Sequence, residues 1–530
     1  MKRFTKILST FLAVLLLGCS TAYAAGNINV SDQQKDLKFP VSYICEAKGG
    51  TVSWDSKTAT ALYKLGSNTV KVNLKEKEMT VNGKSTPLKK EITGGRLILP
   101  LSTINSVFGL KLTSDECLKV TGEKFIKMIQ NGLVQEGAAL LSSSFSKYIN
   151  AAYLGVIGAS IKAIPFAFEK AQVEKNSVHQ NLIIPCVIQQ TDYTYIIRFD
   201  SDGKIDELGS ALPNMNLYTK PDYDNPENYT EEQVTIGKGD WKLPGTLTLP
   251  KGKGPFPAVI LVHGSGAGDR DETVGAVKPF RDLAVGLAGK NIAVLRYEKR
   301  TLEHGSKMQL MGDITMKQEF EEDAYAAAEF LKTNSLIDSS NIIVIGHSQG
   351  GYVLPRIMAN DKNNLFKAGV IMSGCSRPIY ELMMEQNEYL MSKGLASQAQ
   401  IDFIKGQVNI LKDPGFNPAQ PPKEYQLGIP YYYDDMTDYN VLGIAETLSK
   451  PMLVLQGEKD WQVTVKSDFE GWKKAFESNK SAQFKLYPEL NHVYTNISDS
   501  GTINDYYINA NIPQYVIDDI GNYIKQVAGK

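Results

Sequence analysis

An α/β fold built on a mostly parallel sheet, preceded by two small α+β domains, is what this sequence of 530 residues predicts. Three observations predict it. Beyond about Tyr229, short apolar runs alternate with amphipathic stretches, the pattern of strands and crossover helices that cover both faces of a sheet. Before that point the chain changes character once, from short strands and turns to an apolar-periodic helical stretch. The length calls for several folded units, and 42% hydrophobic with 22% charged residues is ordinary globular composition, which excludes whole-chain disorder and collagen-like repeats. Lys and Arg (57) nearly balance Asp and Glu (58), so the net charge of -1 gives no general attraction for nucleic acid.

Residues 1–24 read as a signal peptide. Lys2, Arg3 and Lys6 form a basic start, the run Ile7 to Leu17 is apolar but short for a membrane span, and Ala22-Tyr23-Ala24 has the small-x-small pattern of a cleavage site. A secreted or cell-surface protein starting at Ala25 is expected, with lipoprotein processing at Cys19 as the alternative. The remaining cysteines, Cys45, Cys117, Cys186 and Cys375, include no CxxC pair and predict no structural zinc. Cys45 and Cys117 share the N-terminal segment and could pair in an oxidising compartment, or could serve as two small buried hydrophobes.

The first domain is expected over 25–118. Thr51 to Trp54, Val70 to Leu74 and Glu78 to Val81 read as strands, and Asn82-Gly83 is a hairpin turn because both residues tolerate positive φ. Gly94-Gly95 marks a second turn, leading into Arg96 to Leu101 and a short helix to Phe108-Gly109. Through Val81-Asn82-Gly83, Leu99-Pro100-Leu101 and Phe108-Gly109-Leu110 the segment resembles the copper amine oxidase N-terminal-like domain of secreted bacterial proteins. That resemblance implies a stalk or attachment module, and no copper, since 27 to 115 contains no histidine. Lysines 71, 75, 77, 84, 89 and 90 could meet an acidic cell-wall polymer, but Glu76, Glu78 and Glu91 among them also fit a plain solvated face.

A small α+β domain follows over 119–211. Phe125 onward to Phe168 has helical periodicity, and Asn181 to Gln189 and Thr191 to Phe199 alternate as strands before the turn Asp200 to Gly203. Helices followed by a curled sheet are similar to the nuclear-transport-factor-like domains found ahead of some secreted hydrolases. His179 has no acid or Cys at a useful spacing and is expected at the surface. Residues 212–228, rich in Pro, Asn, Asp and Tyr, read as a linker.

Over 229–530 an opening hairpin, Gln233 to Ile236 with Leu243 to Leu249, precedes strands at Ala258 to Val262, Ile292 to Tyr297, Ile342 to Ile345, Ala368 to Met372, Met452 to Leu455 and Gln483 to Tyr487. The helical stretch Lys317 to Thr333 repeats Phe320, Ala324, Ala327 and Leu331 on one face. Such a sheet binds ligands at the carboxyl ends of its strands.

Directly after one buried strand comes Gly346-His347-Ser348-Gln349-Gly350, a G-x-S-x-G pattern at a strand-to-helix turn, where Ser348 is a candidate nucleophile. A serine hydroxyl needs a base, and an imidazole held by a carboxylate supplies one. Of the five histidines only His492 follows Ser348, a few residues beyond the last strand; His304 and His347 are the alternatives. For the acid, the strand ending at Leu455 leads into Gln456-Gly457-Glu458-Lys459-Asp460, giving Asp460, with Glu458 as the rival. Backbone donors for an oxyanion are expected from the N–H groups of Gln349 and Ser265, the latter in His263-Gly264-Ser265-Gly266, where His263 braces the loop.

These motifs resemble the α/β-hydrolase superfamily. Asp269-Arg270-Asp271, Lys278 to Ala284 and Leu295-Arg296-Tyr297-Glu298-Lys299-Arg300-Thr301 resemble, more narrowly, a bacterial group between serine aminopeptidases, dienelactone-hydrolase-like proteins and esterases, with Ala267 and Glu298 as departures. The acid loop of that family is matched by Gly457, Asp460 and Val463. An insertion at about 377–447 is expected to form a helical cap, with Met383, Met384, Tyr431 and Tyr432 as candidate pocket residues. The combined expectation is a serine hydrolase that cleaves a small carboxylic ester through an acyl-enzyme, with no metal or organic cofactor. Release of an N-terminal residue from a short peptide is the alternative, with Asp434, Asp435 or Glu385 holding the ammonium, and a cell-surface attachment protein is a third. The sequence leaves the oligomeric state open.

Overall fold

The computed structural model describes residues 36–529 except 77, 88–91, 94–95, 214–216 and 497–499. The expected signal peptide and the Gly94-Gly95 turn lie outside the described residues. Two compact units divide the chain at Pro213. Among the described residues no helix is long and apolar enough to cross a membrane.

In the N-terminal unit, β1 (Lys38–Pro40) runs into α1 (Val41–Ala47), and an antiparallel five-stranded meander follows: β2 (Thr51–Asp55), β3 (Thr60–Leu65), β4 (Asn68–Asn73), β5 (Glu78–Val81) and β6 (Lys84–Pro87). Asn82 and Gly83 join β5 to β6 with φ of 50° and 80°, the paired positive values of a type I′ turn. Strands β7 (Ile92–Thr93) and β8 (Arg96–Pro100) join β1 in a second small sheet, and α2 (Leu101–Phe108) ends at Gly109 in the left-handed region. Helix α3 (Ser114–Gln130), started by a Thr113/Glu116 capping box, runs across residues 118 and 119. After α4 (Val134–Ala138) and α5 (Ala151–Ser160) comes an antiparallel sheet of β9 (Gln172–Lys175), β10 (Gln180–Ile188), β11 (Thr191–Phe199) and β12 (Ile205–Ala211).

One local reading changes here, and of two open alternatives for a cysteine pair one is found. His179 is not at the surface: it is buried, and its Nε2 lies 2.9 Å from Asp206 Oδ2. The partner sits on β12, too far along the chain for any local spacing to reveal it. Cys45 and Cys117 are both free, buried thiols; Cys45 Sγ donates to the Lys64 carbonyl at 3.5 Å.

The C-terminal unit is built on one eight-stranded sheet. Its strands are β13 (Tyr229–Ile236), β14 (Leu243–Pro250), β15 (Phe256–Val262), β16 (Ala293–Tyr297), β17 (Ile337–His347), β18 (Ala368–Met372), β19 (Met452–Gly457) and β20 (Ala482–Tyr487). The order is β13-β14-β16-β15-β17-β18-β19-β20, antiparallel through β13, β14 and β16 and parallel from β16 onward. Continuous apolar runs are required in the central strands because these are covered on both faces. Ala258, Ile260 and Val262 of β15 enter one core with Ile342 and Val344, whereas Val259 and Leu261 enter the other with Ile343 and Ile345.

Helices α6 (Pro279–Ala288), α7 (Arg300–Glu303), α8 (Gly305–Met311), α9 (Glu322–Lys332) and α10 (Gln349–Ala359) lie in the connections from β15 through β18. Phe320, Ala324, Ala327 and Leu331 all face the core, and Glu319 stands in a π-helical turn (Lys317–Glu321) that runs into α9. Between β18 and β19 the expected insertion folds as α11 (Ile379–Ser392), α12 (Gln398–Leu411), α13 (Pro430–Asp438) and α14 (Val441–Ala445). Helix α15 (Glu470–Ala475) links β19 to β20, and α16 (Gln514–Val527) packs with α6 on the second core. The stretch before β13 is laid on this body: Tyr218 donates to Asp282 at 2.6 Å and Tyr223 to the Ile512 carbonyl at 2.7 Å. Chain connections diverge at β15 and β17, so the carboxyl ends of those strands flank the crevice of the sheet.

Candidate active site

Ser348 follows β17 and precedes α10 with φ 51° and ψ -117°, a strained conformation for a residue with a side chain. Sterics explain the glycines around it. A Cβ on Gly346 would stand 2.4 Å from the Gly350 carbonyl oxygen, and one on Gly350 would stand 2.3 Å from that of Val262. Only a chain without side chains at both positions can turn this sharply and still start a helix against β15.

The loops after β19 and β20 meet beside it. Gly457 lets them approach, since a Cβ there would fall 2.2 Å from the Leu490 carbonyl oxygen, and the Lys459 N–H donates to that carbonyl at 3.0 Å. Asp460 and His492 are both buried, and His492 Nδ1 lies 2.8 Å from Asp460 Oδ2. The other carboxylate oxygen, Oδ1, accepts the N–H groups of Gln462 at 2.8 Å and Val463 at 2.9 Å, and Gln456 Nε2 donates to Oδ2 at 2.9 Å. Glu458 is exposed.

His347 and His304 are held elsewhere. His304 Nε2 bonds the Lys242 carbonyl at 2.8 Å. The His347 ring stands 4.9 Å from that of His492, with Nε2 on the His492 backbone carbonyl at 2.9 Å and Nδ1 paired with Glu272 Oε2 at 3.0 Å. Burial opposes a charged His347 ring, but the Glu272 carboxylate and the carbonyl outweigh it and raise its pKa. The same pairing outweighs burial at Glu272 and keeps its pKa low.

The loop after β15 lies against the serine. A Cβ on Gly264 would be 3.1 Å from Ser348 Cβ and 3.6 Å from Oγ. His263 Nε2 bonds the Asp269 carbonyl at 2.9 Å, and burial lowers its pKa to about 4, so the ring is neutral and acts as a brace. The Gly264 N–H donates to Glu272 Oε1 at 2.6 Å, while Lys299 Nζ donates to the Gly264 carbonyl at 2.7 Å and pairs with Glu319 Oε1 at 2.6 Å. Thr301 Oγ1 donates to the Gly266 carbonyl at 3.2 Å, and Ser265 is exposed.

From the cap, Tyr432 Oη accepts a hydrogen bond from Gln349 Nε2 at 2.9 Å and stands near the Glu319 carboxylate. Burial, and then that carboxylate, push the phenol pKa well up, which keeps the hydroxyl protonated. Tyr431, Met383 and Met384 are partly exposed on α13 and α11, with no contact that ties them to Ser348. Asp435 pairs with Arg356 at 2.8 Å and Glu385 pairs with Arg377, whereas Asp434 is in no such pair. Among the described residues no group of three His, Cys, Asp or Glu side chains converges as a metal site requires.

Sequence reasoning missed Glu272, Lys299 and Glu319. The first two lie in or beside the strings Asp269-Arg270-Asp271 and Glu298-Lys299-Arg300, but nothing in their spacing distinguishes them from other surface charges. Glu319 carries no signal apart from its place on the buried side of an amphipathic stretch.

Residues 31–121 match the copper amine oxidase N-terminal domain, and residues 287–400, which include Ser348, match the prolyl oligopeptidase family. The chain is similar to esterase EstD of Thermotoga maritima, 36% identical over 331 residues that cover 62% of this chain and 76% of that protein. It is also similar to acyl-coenzyme A thioesterase 3 of Mus musculus, 30% identical over 191 residues, 36% of this chain and 39% of the mouse protein. Among solved structures, a Pyrococcus furiosus esterase is 20% identical, with 57% of this chain and 93% of that one covered and a TM-score of 0.38.

Proposed function

The chain belongs to the α/β-hydrolase family that includes esterase EstD, and from that premise we propose that it is a serine esterase that cleaves a small carboxylic ester through an acyl-enzyme. The observation that carries the reading is the Asp460–His492 hydrogen bond, formed by the loops after β19 and β20, beside a strained serine at the end of β17. Ser348 Oγ attacks the ester carbonyl as His492 takes its proton, and Asp460 holds the ring with Nδ1–H toward itself. The carbonyl oxygen becomes an oxyanion, met by the N–H groups of Gln349 and Ser265. Collapse breaks the ester C–O bond, and the alcohol leaves with the proton from His492. Water, deprotonated by His492, then attacks the acyl-serine and releases the acid.

The test is turnover of p-nitrophenyl acyl esters of several chain lengths by the wild type and by Ser348→Ala, together with labelling by a fluorophosphonate. Ester turnover and labelling, both lost in Ser348→Ala, are expected. Silence on every ester, with no labelling of Ser348, would overturn the reading.

A peptidase reading is favoured by the prolyl oligopeptidase match across the nucleophile. Aminoacyl p-nitroanilides test it in the same assay. The Arg356 and Arg377 pairs already engage Asp435 and Glu385, two of the three acids that could hold a substrate ammonium.

The sequence of residues 1–24 supports secretion or surface attachment, with the N-terminal module of 31–121 as the part that would touch cell wall. An N terminus at Ala25 in the extracellular fraction, and co-sedimentation of the protein with wall material, are the expected results. For 119–211 the supporting feature of a nuclear-transport-factor-like domain is a set of helices feeding a four-stranded antiparallel sheet.

A further inference from the structure

Gly264 is gripped on both of its peptide groups by buried ions. Glu272 takes its N–H and Lys299 takes its carbonyl, and each ion has a counter-ion of its own, His347 and Glu319. The carbonyl of Gly264 and the N–H of Ser265 belong to one planar trans peptide, so they point in opposite directions. Whatever fixes the carbonyl therefore fixes the N–H.

The grip on the carbonyl continues into a chain of contacts. Gln349 Nε2 donates to Tyr432 Oη, the Tyr432 hydroxyl stands near the Glu319 carboxylate, and Lys299 pairs with Glu319 and donates to the Gly264 carbonyl. One end of the chain is the residue whose backbone N–H is the first oxyanion donor. The other end is the peptide that carries the second. The middle is a tyrosine supplied by α13 of the cap.

We propose that Lys299, anchored by Glu319, is a positioning residue for the reaction: it aims the Ser265 N–H by holding the Gly264 carbonyl, and Tyr432 ties that setting to Gln349 and to the cap. The inference rests on the assignment of Gln349 and Ser265 as oxyanion donors. Lys299 itself, only 1% exposed, touches no reacting atom.

The test uses the full chain with Lys299→Met, Glu319→Gln and Tyr432→Phe, each measured for kcat and KM on a p-nitrophenyl ester. Active sites are counted by stoichiometric organophosphate titration, and Ki is measured for a trifluoromethyl ketone, which binds serine hydrolases as a tetrahedral oxyanion. Loss of a whole donor costs about 10²- to 10³-fold, so misaiming one in Lys299→Met is expected to lower kcat/KM per titrated site by about 10- to 100-fold. KM should stay within about threefold, and Ki should rise by the same factor as kcat/KM falls. Glu319→Gln and Tyr432→Phe should move the same quantities in the same direction by smaller factors.

A loss confined to the number of titratable sites, or to KM, with Ki unchanged, overturns the proposal, because it describes a damaged fold. So does a Lys299→Met enzyme with per-site kcat/KM and Ki within about twofold of wild type. If Lys299→Met fails to fold, Glu319→Gln decides by the same criterion, since it keeps the shape and removes the anchoring charge. Ser348→Ala separates the two levels: turnover surviving in that variant sinks the serine mechanism itself, whereas a dead Ser348→Ala with an unaltered Lys299→Met sinks only the positioning role.

Discussion

Replacing Asp460 by asparagine changes one oxygen to an NH2 group, and the surroundings dictate which one. Oδ1 accepts two backbone N–H groups, from Gln462 and Val463, which cannot turn away. The single amide oxygen of Asn must therefore face them, which puts the NH2 group against Gln456 Nε2 and His492 Nδ1. His492 escapes the clash only by accepting at Nδ1 and carrying its proton on Nε2, the tautomer that cannot receive a proton from Ser348. Flipping the amide would restore the useful tautomer but would leave two buried N–H groups without an acceptor, at about 1 to 3 kcal/mol each. A penalty of about 2 to 6 kcal/mol corresponds to a loss in kcat of between about 30-fold and 10⁴-fold. The assay is kcat on a p-nitrophenyl ester at pH 8 for Asp460→Asn beside Glu458→Gln, with thermal melts to confirm that both fold. Glu458 is exposed and its change should leave kcat within about twofold. An Asp460→Asn enzyme within tenfold or so of wild type would refute the reasoning, and a loss in Glu458→Gln instead would move the acid to that residue.

Gly350→Ala places a methyl 2.3 Å from the Val262 carbonyl oxygen, so α10 must shift from β15; a destabilisation of about 1 to 3 kcal/mol in denaturant titration, with a fall in kcat, is expected. Because the folded pKa of His347 is raised, its pairing contributes stability that is fully present below about pH 6.5 and is lost as pH climbs through the folded value. His347→Gln should therefore show a smaller alkaline fall in melting temperature than wild type between pH 5 and about 9, and parallel curves for the two would count against the pair. His179→Ala removes a donor from the buried Asp206 carboxylate and should cost about 1 to 3 kcal/mol in denaturant titration of the whole protein, whereas a surface histidine would cost nothing measurable.

What could be read from the sequence was whatever is local or periodic. Ala258 to Val262 shows no alternation because Val259 and Ile260 enter opposite cores, and that absence is itself the signature of a strand covered twice. Gly346 and Gly350 could be read because sharp turns demand glycine within two residues of the serine. The loop carrying Asp460 could be read from the strand before it, but its hydrogen bond to His492 depends on how closely the ends of β19 and β20 lie, which Gly457 decides. The pairs His347 with Glu272, Lys299 with Glu319 and His179 with Asp206 had no such signal. Each joins elements far apart in sequence, and a charged residue looks the same in a sequence whether it ends in solvent or in the interior.

The ions around Gly264 also answer a question that the glycines raise. Gly264 approaches Ser348 so closely that a Cβ would stand 3.1 Å from the serine Cβ, so this loop must lack a side chain where it meets Ser348. Glycine, though, is the residue whose backbone is least restrained, and backbone donors lower a barrier only when they are already aimed. Stability does not account for four ionisable side chains in the interior there, because apolar side chains of the same volume are often as stabilising as a buried ion pair. An apolar side chain cannot hold a peptide N–H or carbonyl in a chosen direction. Glu272 and Lys299 do so at 2.6 Å and 2.7 Å, and their counter-ions keep them from turning. The conformational freedom that close approach imposes on the loop is thus removed from outside it, by charges whose own orientation is fixed.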